Sequence, residues 1–186
     1  MQQIKSAIAV KQALLADESL PAKMETAISR CVSCFQEGGK VLFCGNGGSA
    51  ADAQHLAAEL SGRFYFDRPP LFAEALHVNT SYLTAVGNDY GYEASFARMA
   101  EAMLRPGDLI FLLTTSGNSA NVLAAAQKAK AAGAYLIGMT GESGGKLGPE
   151  VDLLLNMPST DTPRIQEAHM LLGHIICEEV EKRLFG

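Results

Sequence analysis

No stretch of about 18 consecutive apolar residues occurs in the chain, so nothing in it is built to cross a bilayer as a helix. Positive charge is scarce too. Fifteen Lys and Arg stand against 20 Asp and Glu, a net charge of −5. That argues against a protein that holds nucleic acid by its overall field. Cysteine is sparse: Cys31, Cys34, Cys44 and Cys177. Cys31 and Cys34 spell C-x-x-C, but they fall inside a helical pattern. No second pair completes a zinc knuckle, so they read as packing residues. The early apolar residues Ile4, Ala7, Ile8 and Val10 are broken by Lys5 and Lys11 and lead to no small-residue cleavage site. The expectation is a cytoplasmic protein with reduced thiols. Repeats, low-complexity tracts and linkers are absent as well.

What is present fits one globular domain over residues 1–186. Hydrophobic residues make up 48% of the 186, enough to bury a substantial core. Residues 3–16 have apolar positions near helical spacing. A second helix is expected from Pro21, with Met24, Ile28, Cys31 and Phe35 on one stripe. From residue 39 the rhythm becomes strand and helix in alternation. Strands are expected at 40–44, 71–78, 108–114, 134–140 and 151–157, and helices at 49–60, 119–132 and 162–184. Residues 80–104 predict two helices broken around Gly87–Gly91. Continuous apolar strands with helical crossovers imply an α/β fold, a parallel sheet covered on both faces. A helical arm, 1–38, precedes that body, free to pack on a partner.

In such sheets ligands bind beyond the carboxyl ends of the strands. Two loops suit that place. Gly45-Asn46-Gly47-Gly48-Ser49-Ala50 matches the dinucleotide pattern G-x-G-x-x-A, whose glycines let backbone approach an anion at a helix N-terminus. The dinucleotide version also needs an acidic residue at the end of the next strand. His77-Val78-Asn79 has none there, so no nucleotide or redox cofactor is expected. A cradle for another phosphate and a tight turn without a ligand both stay open. The second loop places Thr114, Thr115, Ser116 and Ser119 between a strand and a helix without any Lys or Arg. N-capping explains one hydroxyl. Four in six residues suit a phosphate monoester held by hydroxyls and backbone N–H groups.

His55 and Glu59, at i and i+4, share one face of the helix that leaves the glycine turn. They form either a surface hydrogen bond or part of a site. Arg164, Gln166, Glu167, His169 and His174 are dense polar groups in the last, otherwise apolar helix. His77 reads as structural or peripheral.

The segments "CGNGGSAADAQHLAAELSGRF", "AVGNDYG", "TTSGNSANV", "TGESGGKL" and "RIQEAHMLLGHIICEEVE" resemble the sugar isomerase (SIS) domain family, and within it the phosphoheptose isomerases. The resemblance runs over almost the whole chain. It implies a three-layer, doubly wound, flavodoxin-like sheet and an aldose–ketose isomerisation through an enediol. The implied conversion takes sedoheptulose 7-phosphate to D-glycero-D-manno-heptose 7-phosphate, for bacterial surface polysaccharide. It casts Glu59 as the base between C1 and C2 and His174 as the acid at the oxygen. It gives substrate contacts to Asn46, Gly47, Gly48, Ser49, Glu59, Asn88, Asp89, Thr114, Thr115, Ser116, Ser119 and Gln166. It also implies Zn2+ on His55, Glu59, Gln166 and His174, and a homotetramer with a helical core. One difficulty attends that ligand set: Gln166 and His174 stand about 12 Å apart along an ideal helix. A non-enzymatic relative that associates with the replication initiator DnaA shares several motifs. It lacks the acid and the late histidine that Glu59 and His174 supply here.

Overall fold

The computed structural model describes residues 1–186. Its elements run α1 (Gln2–Ala16), α2 (Leu20–Gln36), β1 (Val41–Gly45), α3 (Gly48–Ser61), β2 (Ala73–Ala75), α4 (Thr80–Tyr90) and α5 (Ala94–Met103). They continue as β3 (Leu109–Thr114), α6 (Ala120–Ala131), β4 (Tyr135–Thr140), β5 (Leu153–Asn156) and α7 (Thr162–Phe185). A short 3-10 turn at Gly148–Glu150, not expected from the sequence, precedes β5.

The five strands form one all-parallel sheet in the order β2-β1-β3-β4-β5. Alternation along the strands divides the core. On β1, Val41 and Phe43 face one layer, with α1, α2, α3 and α7, while Leu42 and Cys44 face the other, with α5 and α6. Phe43 stacks on Phe111 of β3, with ring centroids 4.9 Å apart. The doubly wound architecture expected from the sequence is therefore the one present. The order reverses between β1 and β3, which makes the crevice beyond their carboxyl ends the natural ligand position.

One expectation is corrected and another made more exact. The segment 71–78 forms only a three-residue edge strand, because β2 has one partner and alternates buried with exposed positions. His77 lies beyond it. The helix break expected around Gly87–Gly91 is present at the end of that span, with Gly87 itself inside α4. It falls at Gly91, whose φ of +83° other residues adopt with difficulty. A glycine inside a helix costs about 1 kcal/mol relative to alanine, too little to stop it.

The N-terminal arm joins the body through α2. Its Met24, Ala27, Ile28, Cys31 and Cys34 are buried in the same core as the sheet. Burial of a side chain such as Ile28 contributes about 1.5–3 kcal/mol. It also holds the Cys31 thiol well above its ordinary pKa, which keeps it protonated and inert. The outer side of α1 is different: Ile4, Ile8 and Leu15 are exposed.

Candidate active site

The glycine turn leaves β1 at the crevice. Gly47 precedes the helix with φ +55° and ψ −120°, a conformation that only glycine takes without strain. Asn46 does not leave its side chain free. Its Nδ2 donates to Asn121 Oδ1 at 2.8 Å, and its Oδ1 accepts from Asn121 Nδ2 at 2.9 Å and from the Tyr92 hydroxyl at 3.0 Å. This amide pair ties the loop after β1 to the start of α6. Asn121 and Tyr92 were not singled out by the sequence, and no local pattern signals a partner 75 residues away.

The hydroxyl loop faces the same crevice. Thr114 is buried at the end of β3 and shares a 3.0 Å hydrogen bond with Ser119 Oγ. Ser119 stands at the N-cap of α6 without making a side-chain cap, and Ser116 Oγ accepts from Asn118 N rather than from the helix. Capping therefore does not account for these hydroxyls. Ser49 is buried in the first turn of α3. Thr115 offers its carbonyl to Gly141 N, which fixes the loop against the end of β4.

Helices α3 and α7 pack side by side and run in the same direction. At their upper ends the Gln166 amide occupies the space that a side chain on Gly48 would need. About two turns further on, His55 Nε2 lies 3.0 Å from His174 Nε2 and 3.1 Å from Glu59 Oε1. One donor atom from each residue, a ring nitrogen of His55 and of His174 and a carboxylate oxygen of Glu59, falls within 4.8 Å of the other two. Two residues from the α3 pattern thus meet one that is 115 residues beyond Glu59. Gly173 permits this approach. A Cβ there would stand 2.6 Å from both Leu56 methyl carbons, so only glycine lets the helices come so close. The trio sits at the surface of the single chain, with the His55 side chain half exposed.

Two imidazoles and a carboxylate directed at one point form an N/O donor set that fits zinc. Gln166 lies higher up, by the glycine turn. One turn before His55, the half-buried Asp52 has a carboxylate oxygen without a hydrogen-bond partner. Burial lifts its pKa to about 6, with His55 pulling the other way. Asn88 and Asp89 lie exposed on the last turn of α4, and their side-chain hydrogen bond is to each other. His169 is not part of the cluster: it is fully buried, and its Nε2 meets the Thr140 carbonyl at 3.1 Å. His77 packs near Phe96, with both ring nitrogens unpartnered.

Comparison with known proteins shows the family. The SIS domain family model matches residues 4–141. The chain is 53% identical over 179 residues to a phosphoheptose isomerase of Mycobacterium tuberculosis, covering 96% of this chain and 91% of that one. To a phosphoheptose isomerase of Burkholderia pseudomallei it is 52% identical over 183 residues, covering 98% and 93%. The solved phosphoheptose isomerase of Neisseria gonorrhoeae superposes with a TM-score of 0.90 at 41% identity, over 97% of this chain and 96% of that one. That of Francisella tularensis gives 0.93 at 38%, over 97% and 95%. From the crevice, the helix pair and these likenesses together, the chain belongs to the SIS domain family, among its phosphoheptose isomerases.

Proposed function

We propose that this chain is a sugar-phosphate aldose–ketose isomerase that converts sedoheptulose 7-phosphate to D-glycero-D-manno-heptose 7-phosphate, in the cytoplasm and for surface polysaccharide. The meeting of Glu59, His55 and His174 between α3 and α7 carries the reading. Isomerisation moves a proton between adjacent carbons and another between their oxygens. It needs a base over the enediol plane and an acid beside the oxygens. Glu59 takes the proton from one carbon and returns it to the other. His174 supplies and recovers the proton on the oxygen.

The phosphate end belongs at the crevice. Ser49, Thr114, Thr115, Ser116 and Ser119, with the free N–H groups that open α3 and α6, suit a monoester dianion. From the start of α3 to His55 is seven residues, on the order of 10 Å along the axis. That separation matches an extended phosphosugar with its phosphate in the crevice and its C1–C2 end at the trio. Gly47, Gly48 and the Gln166 amide flank the path between. Asn46 acts here chiefly by bracing the turn, and the exposed Asn88 and Asp89 are left for contacts with the hydroxyl groups of the substrate.

His55, Glu59 and His174 would hold a zinc ion, while Gln166, expected as a fourth ligand, has its amide about two turns higher beside Gly48. An ion held there would supply Lewis-acid polarisation of the substrate oxygens. The assembly is a homotetramer. The exposed Ile4, Ile8 and Leu15 of α1 support this, together with a groove of about 270 Å³ lined by Leu14, Leu20, Met24, Leu171 and Ile175. The alternative of a non-enzymatic protein that associates with DnaA gains no support, since the relatives named above are isomerases and the acid–histidine pair is intact.

Turnover of sedoheptulose 7-phosphate, assayed beside other ketose phosphates, tests the reading. Product from the heptulose phosphate is expected. No product from any ketose phosphate would overturn it.

A further inference from the structure

Below the trio, a second buried polar cluster joins the same two helices. Glu181 lies two turns after His174 on α7, and its side chain is 1% exposed, as is that of Arg68. Its carboxylate accepts from the backbone N–H groups of Phe64 at 2.8 Å, Tyr65 at 2.5 Å and Phe66 at 3.0 Å, and from Arg68 Nε at 2.9 Å. Arg68 turns its other donors on the end of α3. Nη2 donates to the Glu59 carbonyl at 3.0 Å, and Nη1 to the carbonyls of Leu60 at 2.8 Å, Gly62 at 3.2 Å and Pro69 at 3.1 Å. The Phe185 ring covers the guanidinium at 5.5 Å.

The last carbonyls of a helix have no partners of their own and carry partial negative charge. A guanidinium placed there both satisfies them and fixes where the helix ends. The Glu181 carboxylate does the same for three consecutive N–H groups of the returning chain. One of these belongs to Phe64, whose ring lies 5.8 Å from that of His174. A hydrophobic contact alone would let α3 slide or rotate against α7. Directional bonds to the Glu59 carbonyl on one side and from Phe64 on the other do not.

We propose that Arg68 and Glu181 are positioning residues: their buried ion pair sets the register of α3 against α7 and so holds Glu59 and His174 at reacting distance. This rests on the isomerase reading for its kinetic consequence, but the geometric claim concerns the His55–Glu59–His174 cluster itself. Burying two charges costs much desolvation and is a poor route to bare stability. A pair that fixes the geometry of a site is a better account of it.

The test uses full-length Glu181→Gln and Arg68→Lys, each measured as folded protein at a temperature well below its unfolding midpoint. Gln keeps the shape and one acceptor oxygen but loses the charge. Lys keeps the charge but not the fork that spans the α3 carbonyls. Two readouts are taken: kcat and KM with sedoheptulose 7-phosphate, and zinc affinity by chelator competition. The expected result is a kcat lowered about 10–100-fold with KM changed less than about threefold, and zinc binding weakened about tenfold or more, as for outer groups that orient ligands. If one variant fails to fold, the other carries the test. If both do, the double variant Arg68→Met/Glu181→Leu restores an apolar filling and is measured instead. Folded variants with wild-type kcat and zinc affinity, differing only in melting temperature, would overturn the proposal. A wild-type protein that turns over no sugar phosphate defeats the isomerase reading instead. The zinc measurement then still decides whether the Arg68–Glu181 pair positions the cluster.

Discussion

Glu59 and His174 carry the chemistry at the scale of single residues, and each has a sharp expected signature. Glu59→Gln keeps the shape and removes the base. Turnover is expected to fall about 10²–10⁴-fold while the circular dichroism spectrum and melting temperature stay within error. Full activity in that variant would take Glu59 out of the mechanism. His55→Ala removes one arm of the donor set. Protein purified without chelator is expected to show lower zinc by mass spectrometry than wild type. Wild-type protein with a zinc ratio near zero and full activity would end the metal reading. Legibility at this scale was uneven. His55 and Glu59 could be read directly, because i and i+4 share a helix face. His174 gained its place only through the family resemblance. Asn121, Tyr92, Arg68 and Glu181 were not singled out, because their partners lie 46 to 117 residues away, and such pairings belong to topology rather than local pattern.

His169 makes a further residue-scale prediction. Burial lowers its pKa to about 4, against a smaller opposing effect of the Thr140 carbonyl. The folded protein therefore keeps the ring neutral while the unfolded chain, titrating near 6.5, takes up a proton. Stability is lost as pH falls from about 6.5 to 4, by up to about 3 kcal/mol. Asp52 acts with the opposite sign, since its raised pKa gives the folded state the extra proton in the acid range. The difference between wild type and His169→Phe in urea midpoint, followed from pH 7 to 4.5, isolates the histidine. A constant difference across that range would refute the assignment.

At the scale of elements, the α3–α7 seam matters most. Gly173→Ala places a methyl group against the Leu56 methyl carbons, so that Leu56, which is 1% exposed, must shift within the core. The expected cost is about 1–3 kcal/mol, read as a lowered melting temperature, together with a fall in kcat as the trio spreads. Leu56→Ala in the same chain should recover part of both. Strong elements were legible: β1, β3, β4 and β5 show as short apolar runs, and α2 as a stripe. The second strand was legible only with its length overstated, and the α4–α5 break only to within the span Gly87–Gly91. β2 is held along one edge only, and Gly87 and Gly91 look alike in letters while only Gly91 takes a positive φ.

For the whole molecule, the outer face of α1 and the adjoining groove along α2 and α7 are the exposed apolar surface from which the tetramer is inferred. Ile8→Glu is expected to lower the mass seen by light scattering, and wild type to run as four copies. A wild-type monomer with full turnover would remove the tetramer from the account. None of the seven helices is long and apolar enough to cross a membrane.

The packing of α1 and α2 on α7 has a consequence for synthesis. Val10, Leu14, Met24 and Ile28 are made first, yet the helix that shelters them begins only at Thr162. Until the ribosome has delivered nearly the last residue, those side chains face water or whatever else is near. Contacts that close so long a span form late and slowly. A stalled or truncated chain ending before Thr162 would therefore leave the growing product sticky at its leading end, a natural target for chaperones and proteases.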